Sequence, residues 1–216
     1  MNTRNILQEA GCILEGDFFF ALKSKRVAKK YINIDPLLTK PDMLDEVIRK
    51  MTAKVSLSSA VYPPEVVAGP AVGAIPLVYL FERHFPPRGC LQTVFAEKSS
   101  DGFVLERMGF RDAVSGKPVL VVEDITSTGE SAKRTGEAIE AAGGHIVGYA
   151  FIWNRSPETV NSASMGATVL NLIEESVASF LPEEHPEWGA LPLVTDIGHP
   201  EHFPDYPGPK IELLAK

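Results

Sequence analysis

The run from Val119 to Ser131, VLVVEDITSTGES, constrains the fold more than any other part of the chain. Val119 to Val122 are continuously apolar, which is typical of a parallel strand buried on both faces of a sheet. Two acids, Glu123 and Asp124, follow directly, and a helix is predicted from Ser131 to Ala142 after a short loop. A strand, a loop and a helix in this order belong to a βαβ unit, so a mostly parallel sheet is expected.

Segments with the patterns of strands and helices alternate along the rest of the chain, which predicts an α/β fold with a central sheet flanked by helices. Helices are predicted over Asn2–Ala10, Asp42–Ala53 and Ile75–Phe85, and strands over Tyr31–Ile34, Glu65–Gly69, Leu91–Ala96, Ile146–Trp153 and Ala167–Ile173. Ile13–Leu22 is predicted to be a strand or a hairpin element. Between them, Lys23 to Lys30 is predicted to be a basic loop and Glu97 to Arg107 a mobile polar segment.

The predicted domain spans residues 1–180, with a small N-terminal hood over about residues 1–40. Residues 181–216 are rich in proline and form a predicted extension that packs on the domain or caps it. Regular secondary structure is not expected in that extension, because prolines recur along it.

Composition narrows the class of protein. The formal net charge is −7, which argues against non-specific binding to nucleic acid or to a membrane surface. No apolar run approaches the length of about 20 residues that a membrane span requires, and the first residues lack the apolar core of a signal peptide. The two cysteines, Cys12 and Cys90, have no metal-ligand spacing. We therefore expect a cytoplasmic protein.

The residues after the central strand indicate a binding site. In open α/β sheets, ligands bind at the carboxyl ends of the strands, where Glu123 and Asp124 are expected. Amides at a helix N-terminus and nearby hydroxyls bind phosphate, whereas carboxylates bind sugar hydroxyls or Mg²⁺. A sugar phosphate with vicinal hydroxyls satisfies both groups. The same residues are also compatible with a capped helix that binds nothing. The segment lacks the lysine of a Walker loop and the GxGxxG pattern, so ATP hydrolysis and dinucleotide binding are not predicted.

The segment VLVVEDITSTGES resembles the phosphoribosyl-pyrophosphate signature of type I phosphoribosyltransferases. The resemblance implies the fold of that family. It also implies that Glu123 and Asp124 hold the ribose hydroxyls and that Mg²⁺ is held mainly by substrate and water, without a dedicated protein metal site. The 5′-phosphate would be cradled by Thr126, Ser127, Thr128, Gly129, Glu130 and Ser131.

From about Gly11 to Ser156 the chain is most similar to orotate phosphoribosyltransferases, which implies transfer of phosphoribosyl to orotate by a homodimer. GCILEGDFFFALKSK places Lys23 at the pyrophosphate or base, and YINID places Tyr31, Ile32 and Asn33 near the acceptor ring. VVAGPAVGAIPL resembles the pyrophosphate loop, with amides from Ala71, Val72 and Gly73. FAEKSSDGFVLERMGF resembles the mobile catalytic loop, with Lys98 and Arg107 as its cations, and FIWNRS places Arg155 at the orotate carboxylate.

Several positions depart from the family pattern. Gly73 stands where some members carry lysine, Glu97 where an arginine precedes the loop lysine, and Ser127 where threonine is usual; the loop also lacks the common histidine. Two alternatives therefore remain open: a phosphoribosyltransferase for another purine or pyrimidine base, and a non-catalytic regulator that senses phosphoribosyl pyrophosphate. No metal site is predicted in the tail, because His199 and His202 show no third clustered ligand in the sequence.

Overall fold

The computed structural model describes residues 1–100 and 102–214. Asp101, which falls in the segment predicted to be mobile, and the last two residues of the predicted extension lie outside the described residues. Two compact units are formed. Unit 1 contains Met1–Ala10 and Ile34–Ser176, and unit 2 contains Gly11–Asn33 and the described residues from Val177 onward.

Seven α-helices and ten strands are found in the described residues, together with two short 3₁₀ helices at Pro182–Glu184 and Pro200–His202. No helix among these residues has both the length and the apolar character that crossing a bilayer would require. The helices are α1 (Thr3–Ala10), α2 (Asp35–Leu38), α3 (Pro41–Ser56), α4 (Ile75–His84), α5 (Phe110–Val114), α6 (Glu130–Ala141) and α7 (Ser162–Met165). The strands are β1 (Ile13–Ala21), β2 (Val27–Ile32), β3 (Val66–Pro70), β4 (Gln92–Ser99), β5 (Gly102–Val104), β6 (Pro118–Thr126), β7 (His145–Asn154), β8 (Thr168–Glu174), β9 (Leu193–Gly198) and β10 (Lys210–Ile211).

Unit 1 is built on a six-stranded sheet with the order β5-β4-β3-β6-β7-β8. All neighbours are parallel except β5, which runs antiparallel to β4. The predicted α/β class with a mostly parallel sheet is confirmed. After β3 the next strand, β4, is added on one side of the central pair β3–β6, whereas after β6 the next strand, β7, is added on the other side. The carboxyl ends of β3 and β6 therefore flank a topological switch point.

Strand β6 is covered on both faces, which explains its continuous apolar run. Val119 and Val121 pack in one cluster with Ala132 and Ile139 of α6. Helix α4 packs against β3, β4 and β6, and its Leu77, Val78 and Phe81 are buried. Because side chains alternate along a strand, every residue from Val119 to Val122 meets a packed helix or sheet neighbour.

Unit 2 contains a four-stranded sheet with the order β10-β9-β1-β2. Strand β9 runs parallel to β1, whereas β2 runs antiparallel to it. The expectation that the proline-rich tail lacks regular structure is therefore wrong. Pro192 and Pro200 lie just outside β9, where they do not interrupt its hydrogen bonds, and Phe19 N–H donates to Pro192 O at 2.8 Å.

Aromatic side chains join the tail to β1 in unit 2. Trp188 lies with its ring centroid 5.7 Å from Phe19, 5.4 Å from Phe203 and 4.5 Å from Tyr206. The hydroxyl of Tyr206 donates to the carbonyl of Leu191. These contacts form a separate core in which Phe19 is fully buried.

The predicted basic loop from Lys23 to Lys30 is partly wrong, since β2 already begins at Val27. Two of its lysines have acidic partners: Lys29 Nζ lies 2.5 Å from Glu187 Oε2, and Lys30 Nζ lies 3.7 Å from Glu15 Oε2. Pairing with these acids allows a lysine-rich sequence to form a strand.

Phe19→Ala is expected to destabilise unit 2 by about 3–5 kcal/mol, because it leaves a cavity under Trp188 in a fully buried core. Phe18→Ala is the matched control: the neighbouring side chain points to the opposite face and is only partly buried. Urea denaturation followed by tryptophan fluorescence measures both variants. Equal losses of stability would contradict the assigned core.

Candidate active site

The acid pair at the end of β6 lies beside the loop that follows β3. A Cβ atom added to Gly73 would be 3.5 Å from Asp124 Oδ2, so the backbone of that loop passes close to the carboxylate. Parallel pairing of β3 with β6 produces this proximity, since Val66, Val67 and Ala68 are in register with Val119, Leu120 and Val121. The two loops predicted to bind pyrophosphate and ribose therefore meet at the switch point.

Thr126 organises the loop between β6 and α6. Its buried Oγ1 accepts a hydrogen bond from Gly129 N–H at 3.1 Å, and its carbonyl accepts one from Arg155 N–H at 2.8 Å. Thr128 Oγ1 accepts from Glu130 N–H at 3.4 Å. Thr126 thus braces the loop internally and ties it to the segment that carries Arg155.

Gly129 sets the geometry at the start of α6. It has φ +74°, and an added Cβ would lie 2.8 Å from the sulfur of Met165, so a side chain is excluded both by conformation and by space. The 12-residue helix α6 begins at the next residue. Ser127 and Ser131 are half-buried and Thr128 is exposed, so hydroxyls and helix N-terminal amides lie together. This combination suits a phosphate.

The acid pair is poorly solvated. Burial, together with the smaller effect of the neighbouring Asp124 carboxylate, raises the pKa of Glu123 to about 8. Burial also raises the pKa of Asp124, while the hydrogen bond from Ile125 N–H lowers it. Asp35 and Arg155 are close enough to act on the pKa of Asp124 in opposite directions. In the described residues, Glu123 has no salt-bridge or hydrogen-bond partner, which favours a ligand that donates hydrogen bonds.

Two amides of the loop after β3 have no acceptor within the described part of the chain: those of Val72 and Gly73. Ala71 differs, because its N–H donates to Ala96 O at 2.8 Å. Val72 is 79% exposed, and the peptide bond between Ala71 and Val72 is cis. Of the three amides predicted to bind pyrophosphate, the one of Ala71 already has an internal partner.

The predicted loop cations lie on and after the β4–β5 hairpin. Arg107 forms a two-pronged salt bridge with Glu97, with nitrogen–oxygen distances of 2.8 and 2.9 Å, and its guanidinium lies 5.5 Å from the centroid of the Phe95 ring. Hydrogen bonding from Arg107 lowers the pKa of Glu97. Lys98 is exposed and, as the next residue of the strand, points to the opposite face.

Asn154, at the end of β7, was missed in the sequence. Its side chain is fully buried, donates to Val160 O at 2.8 Å and accepts from Ser156 N–H at 3.0 Å. It therefore fixes the turn that carries Arg155. An asparagine that closes the apolar run YAFIWN is a signal that would have identified it, because a buried amide needs partners.

Three predicted ligand-binding residues belong to unit 2. Lys23 is exposed in the turn between β1 and β2. Tyr31 and Ile32 end β2, where Tyr31 is half-buried with its ring 5.2 Å from Phe20 and Ile32 is buried. Arg26, in the same basic segment, donates to the side chain and carbonyl of Ser179. The roles of Lys23, Tyr31 and Ile32 in binding stay predictions.

The raised pKa of Glu123 predicts a pH-dependent stability. Between pH 4.5, the ordinary pKa, and about 8, the folded protein retains a proton that the unfolded chain loses. The free energy of unfolding should therefore fall as pH rises through this window, by the order of a few kcal/mol, and level off above it.

Denaturant unfolding from pH 5 to 9 measures this slope in the ligand-free protein. Glu123→Gln should reduce the slope and stabilise the protein at pH 8.5, whereas Glu140→Gln, at an exposed position of α6, should leave it unchanged. A residual slope is expected from Asp124, because the two acids titrate together. Identical slopes in wild type and Glu123→Gln would contradict the assigned burial.

Comparison with known proteins agrees with this arrangement. Residues 34–187 match the family model of the phosphoribosyl transferase domain. Over 198 residues the chain is 30% identical to the orotate phosphoribosyltransferase of Bartonella tribocorum, covering 90% of this chain and 96% of that protein.

Two solved structures share the fold. The crystal structure of orotate phosphoribosyltransferase from Aeropyrum pernix has a TM-score of 0.60 at 20% identity, over 80% of this chain and 93% of that one. The Mycobacterium tuberculosis orotate phosphoribosyltransferase in complex with 5-phospho-α-D-ribosyl 1-diphosphate has a TM-score of 0.53 at 23% identity, over 66% and 80% of the respective chains. With the family model covering most of the chain and the switch-point site built as described, the protein belongs to the phosphoribosyltransferase family.

Proposed function

We propose that this enzyme transfers the phosphoribosyl group of phosphoribosyl pyrophosphate to orotate, giving orotidine 5′-monophosphate and pyrophosphate. The observation that carries the proposal is the poorly solvated pair Glu123–Asp124 beside a helix N-terminus suited to phosphate. The Bartonella tribocorum relative is named for orotate, and the Mycobacterium tuberculosis structure holds the same donor. Both support the choice of donor and acceptor.

In this proposal the donor is held at two points. The residues from Thr126 to Ser131 bind the 5′-phosphate through amides and hydroxyls at the start of α6. Glu123 and Asp124 accept hydrogen bonds from the ribose hydroxyls, which supply a donor for the partnerless Glu123 and a further one for Asp124, which already accepts from Ile125 N–H. The amides of Val72 and Gly73 face the pyrophosphate, and Gly73 leaves room for it beside Asp124.

The acceptor is recognised through its carboxylate. Arg155 lies beside the phosphate loop because its amide is bonded to Thr126 O, and the buried Asn154 fixes its turn. A guanidinium forms two parallel hydrogen bonds with a carboxylate. Orotate carries a carboxylate, whereas uracil and the purine bases do not. Arg155 would therefore select orotate over these bases.

The reaction replaces one bond at C1 of the ribose. N1 of orotate forms a bond to C1 while the bond from C1 to pyrophosphate breaks and its electron pair leaves with pyrophosphate. The protein contributes position and electrostatics, since positive charge grows on the ribose and negative charge on the leaving group. The nearby carboxylates of Glu123 and Asp124 stabilise the ribose, and Lys98 and Arg107 stabilise pyrophosphate when their segment closes.

A Mg²⁺ ion fits the site, because the available protein ligands are carboxylate oxygens and no cation contacts Glu123 among the described residues. Bound mainly by substrate oxygens and water, and facing Glu123 and Asp124, the ion would neutralise the leaving pyrophosphate.

The proposal also includes a homodimer in the cytoplasm. A dimer is expected because the segment around Lys98 resembles a loop that serves a neighbouring subunit's site in this family. The chain's sparing use of cysteine, with Cys12 buried and Cys90 exposed, is typical of a reducing compartment.

Loss of orotate absorbance, with phosphoribosyl pyrophosphate and Mg²⁺ omitted in turn, tests the function. Arg155→Ala should lower kcat/KM for orotate by about 10- to 150-fold while leaving donor affinity unchanged. Arg83→Ala, an exposed arginine on α4, is the matched control.

The outcomes separate the parts of the proposal. If orotate is not consumed but calorimetry still detects binding of the donor, the assigned donor site stands. Either orotate as the acceptor or the catalytic activity itself would then be wrong. Full orotate activity in Arg155→Ala would instead assign acceptor recognition to other residues.

A second prediction concerns the salt bridge between Glu97 and Arg107. If Arg107 contacts pyrophosphate in the closed loop, Glu97 competes with the donor for the same guanidinium. Glu97→Gln should then lower the KM for the donor by up to about fivefold, the range of an exposed salt bridge. Steady-state kinetics at fixed Mg²⁺ measures the change.

Glu106→Gln provides the matched control, because it removes an exposed acid from the same segment. The gain should vanish in the Glu97→Gln/Arg107→Ala double variant, since no guanidinium remains to be released. An unchanged or raised donor KM in Glu97→Gln would show that the two residues do not compete.

A further inference from the structure

Three side chains with metal-binding chemistry converge in unit 2, although none belongs to the proposed active site. Ligand atoms of His199, Glu201 and His202 all lie within 4.8 Å of one another. His199 Nδ1 is 2.9 Å from Glu201 Oε1, and the two imidazole rings are stacked with centroids 5.6 Å apart. Glu201 is the third ligand that the sequence spacing of the histidines did not reveal.

The local backbone explains why the histidines meet. His199 directly precedes the 3₁₀ helix Pro200–His202, at its N-cap position. Residues three apart are eclipsed in a 3₁₀ helix, so His199 and His202 project from the same side of the turn. Pro200 fixes the first helical position, which suits its restricted φ.

The turn is anchored on both sides before any ion binds. His199 N–H donates to Ala21 O at 2.9 Å, and Phe203 packs against Trp188. Gly198 has φ +84°, and a Cβ added there would lie 2.5 Å from Ala21 O, so only glycine permits this close approach to β1. A fixed backbone lowers the entropic cost of bringing the ligands together.

An exposed ion pair alone would account for the contact between His199 and Glu201, but not for the second ring. The side chains of His199 and Glu201 are 39% and 63% exposed, so their pairing stabilises the turn little. His202 makes a different contribution: it places a second imidazole beside the first on the same turn. Two imidazoles with one carboxylate form a ligand set for transition metals.

We propose that His199, Glu201 and His202 bind a divalent transition-metal ion, with Zn²⁺ as the representative, through two imidazole nitrogens and one carboxylate oxygen. Ligand atoms at about 2.0–2.1 Å from zinc lie roughly 3.3 Å apart in a tetrahedron, so a small contraction of the cluster completes the site. The remaining position is taken by water. Bound metal would tie together both ends of the turn that follows β9.

The ligand chemistry selects the ion. Imidazole favours Zn²⁺, Co²⁺ and Ni²⁺, whereas Mg²⁺ prefers oxygen ligands and retains its water. Binding of Zn²⁺ should therefore persist in excess Mg²⁺, which also keeps carboxylate-only sites occupied during the measurement.

Titration calorimetry with ZnCl₂ on the chelator-treated full chain, in excess Mg²⁺, tests the site. One ion per chain is expected, and His199→Gln, His202→Gln and Glu201→Gln should each weaken binding at least about tenfold. Co²⁺ supplies a second readout, because its visible spectrum reports nitrogen ligation. Zn²⁺ should also raise the thermal unfolding temperature of wild type more than that of the variants.

Two controls remove the competing explanations. His145→Gln deletes an exposed histidine of β7, and Cys90→Ser deletes the exposed thiol; both should bind Zn²⁺ like wild type. Circular dichroism verifies that the three ligand variants are folded. Undiminished affinity in a folded His199→Gln or His202→Gln protein would overturn the proposal, as would loss of binding in Cys90→Ser or no stoichiometric binding by wild type.

Discussion

Burial of two carboxylates at the carboxyl end of β6 is the constraint on which unit 1 depends. The strand is covered on both faces, so Glu123 and Asp124 leave it in surroundings that disfavour their charge. A lysine or arginine beside the two carboxylates would offset the free-energy cost of burying their charge, but its side chain would also occupy the space in which a ligand could bind. The structure leaves Glu123 without such a partner in its described residues, and in the proposed function a bound sugar with hydroxyl donors would offset the penalty.

The elements around β6 follow from its position in the sheet. Reversal of strand order between β3 and β6 brings two loops to one edge, where the backbone at Gly73 lies close to Asp124. Thr126 then couples the phosphate loop to the next strand through Arg155 N–H. In the proposed function, one backbone hydrogen bond would thus join the residues for the donor to the residue for the acceptor, so a single strand end would position groups for two substrates.

Local patterns predicted the parts of the fold that depend on neighbouring residues. The apolar run from Val119 to Val122 predicts β6, and the segments that bracket it predict the parallel sheet, because each is determined by periodicity and turns. Strand β9 depends instead on pairing with β1, about 175 residues earlier, so the prolines around it gave a misleading signal. The salt bridge between Glu97 and Arg107 likewise requires the β4–β5 hairpin, whose register the sequence does not contain. The cluster at His199 required a 3₁₀ turn to bring Glu201 beside the rings.

The two proposed ligand sets in this chain differ in their ligand atoms, so they would select different ions. Glu123 and Asp124 offer only carboxylate oxygens, which suit a hydrated Mg²⁺ that a phosphorylated substrate also binds. His199 and His202 offer imidazole nitrogens, for which Mg²⁺ competes poorly because it gives up water reluctantly. A site made only of carboxylates is expected to bind Zn²⁺ less tightly than a site that includes imidazole ligands. If both proposals hold, a transition metal at the tail and Mg²⁺ at the switch point would be bound at the same time, each selected by the chemistry of its ligands.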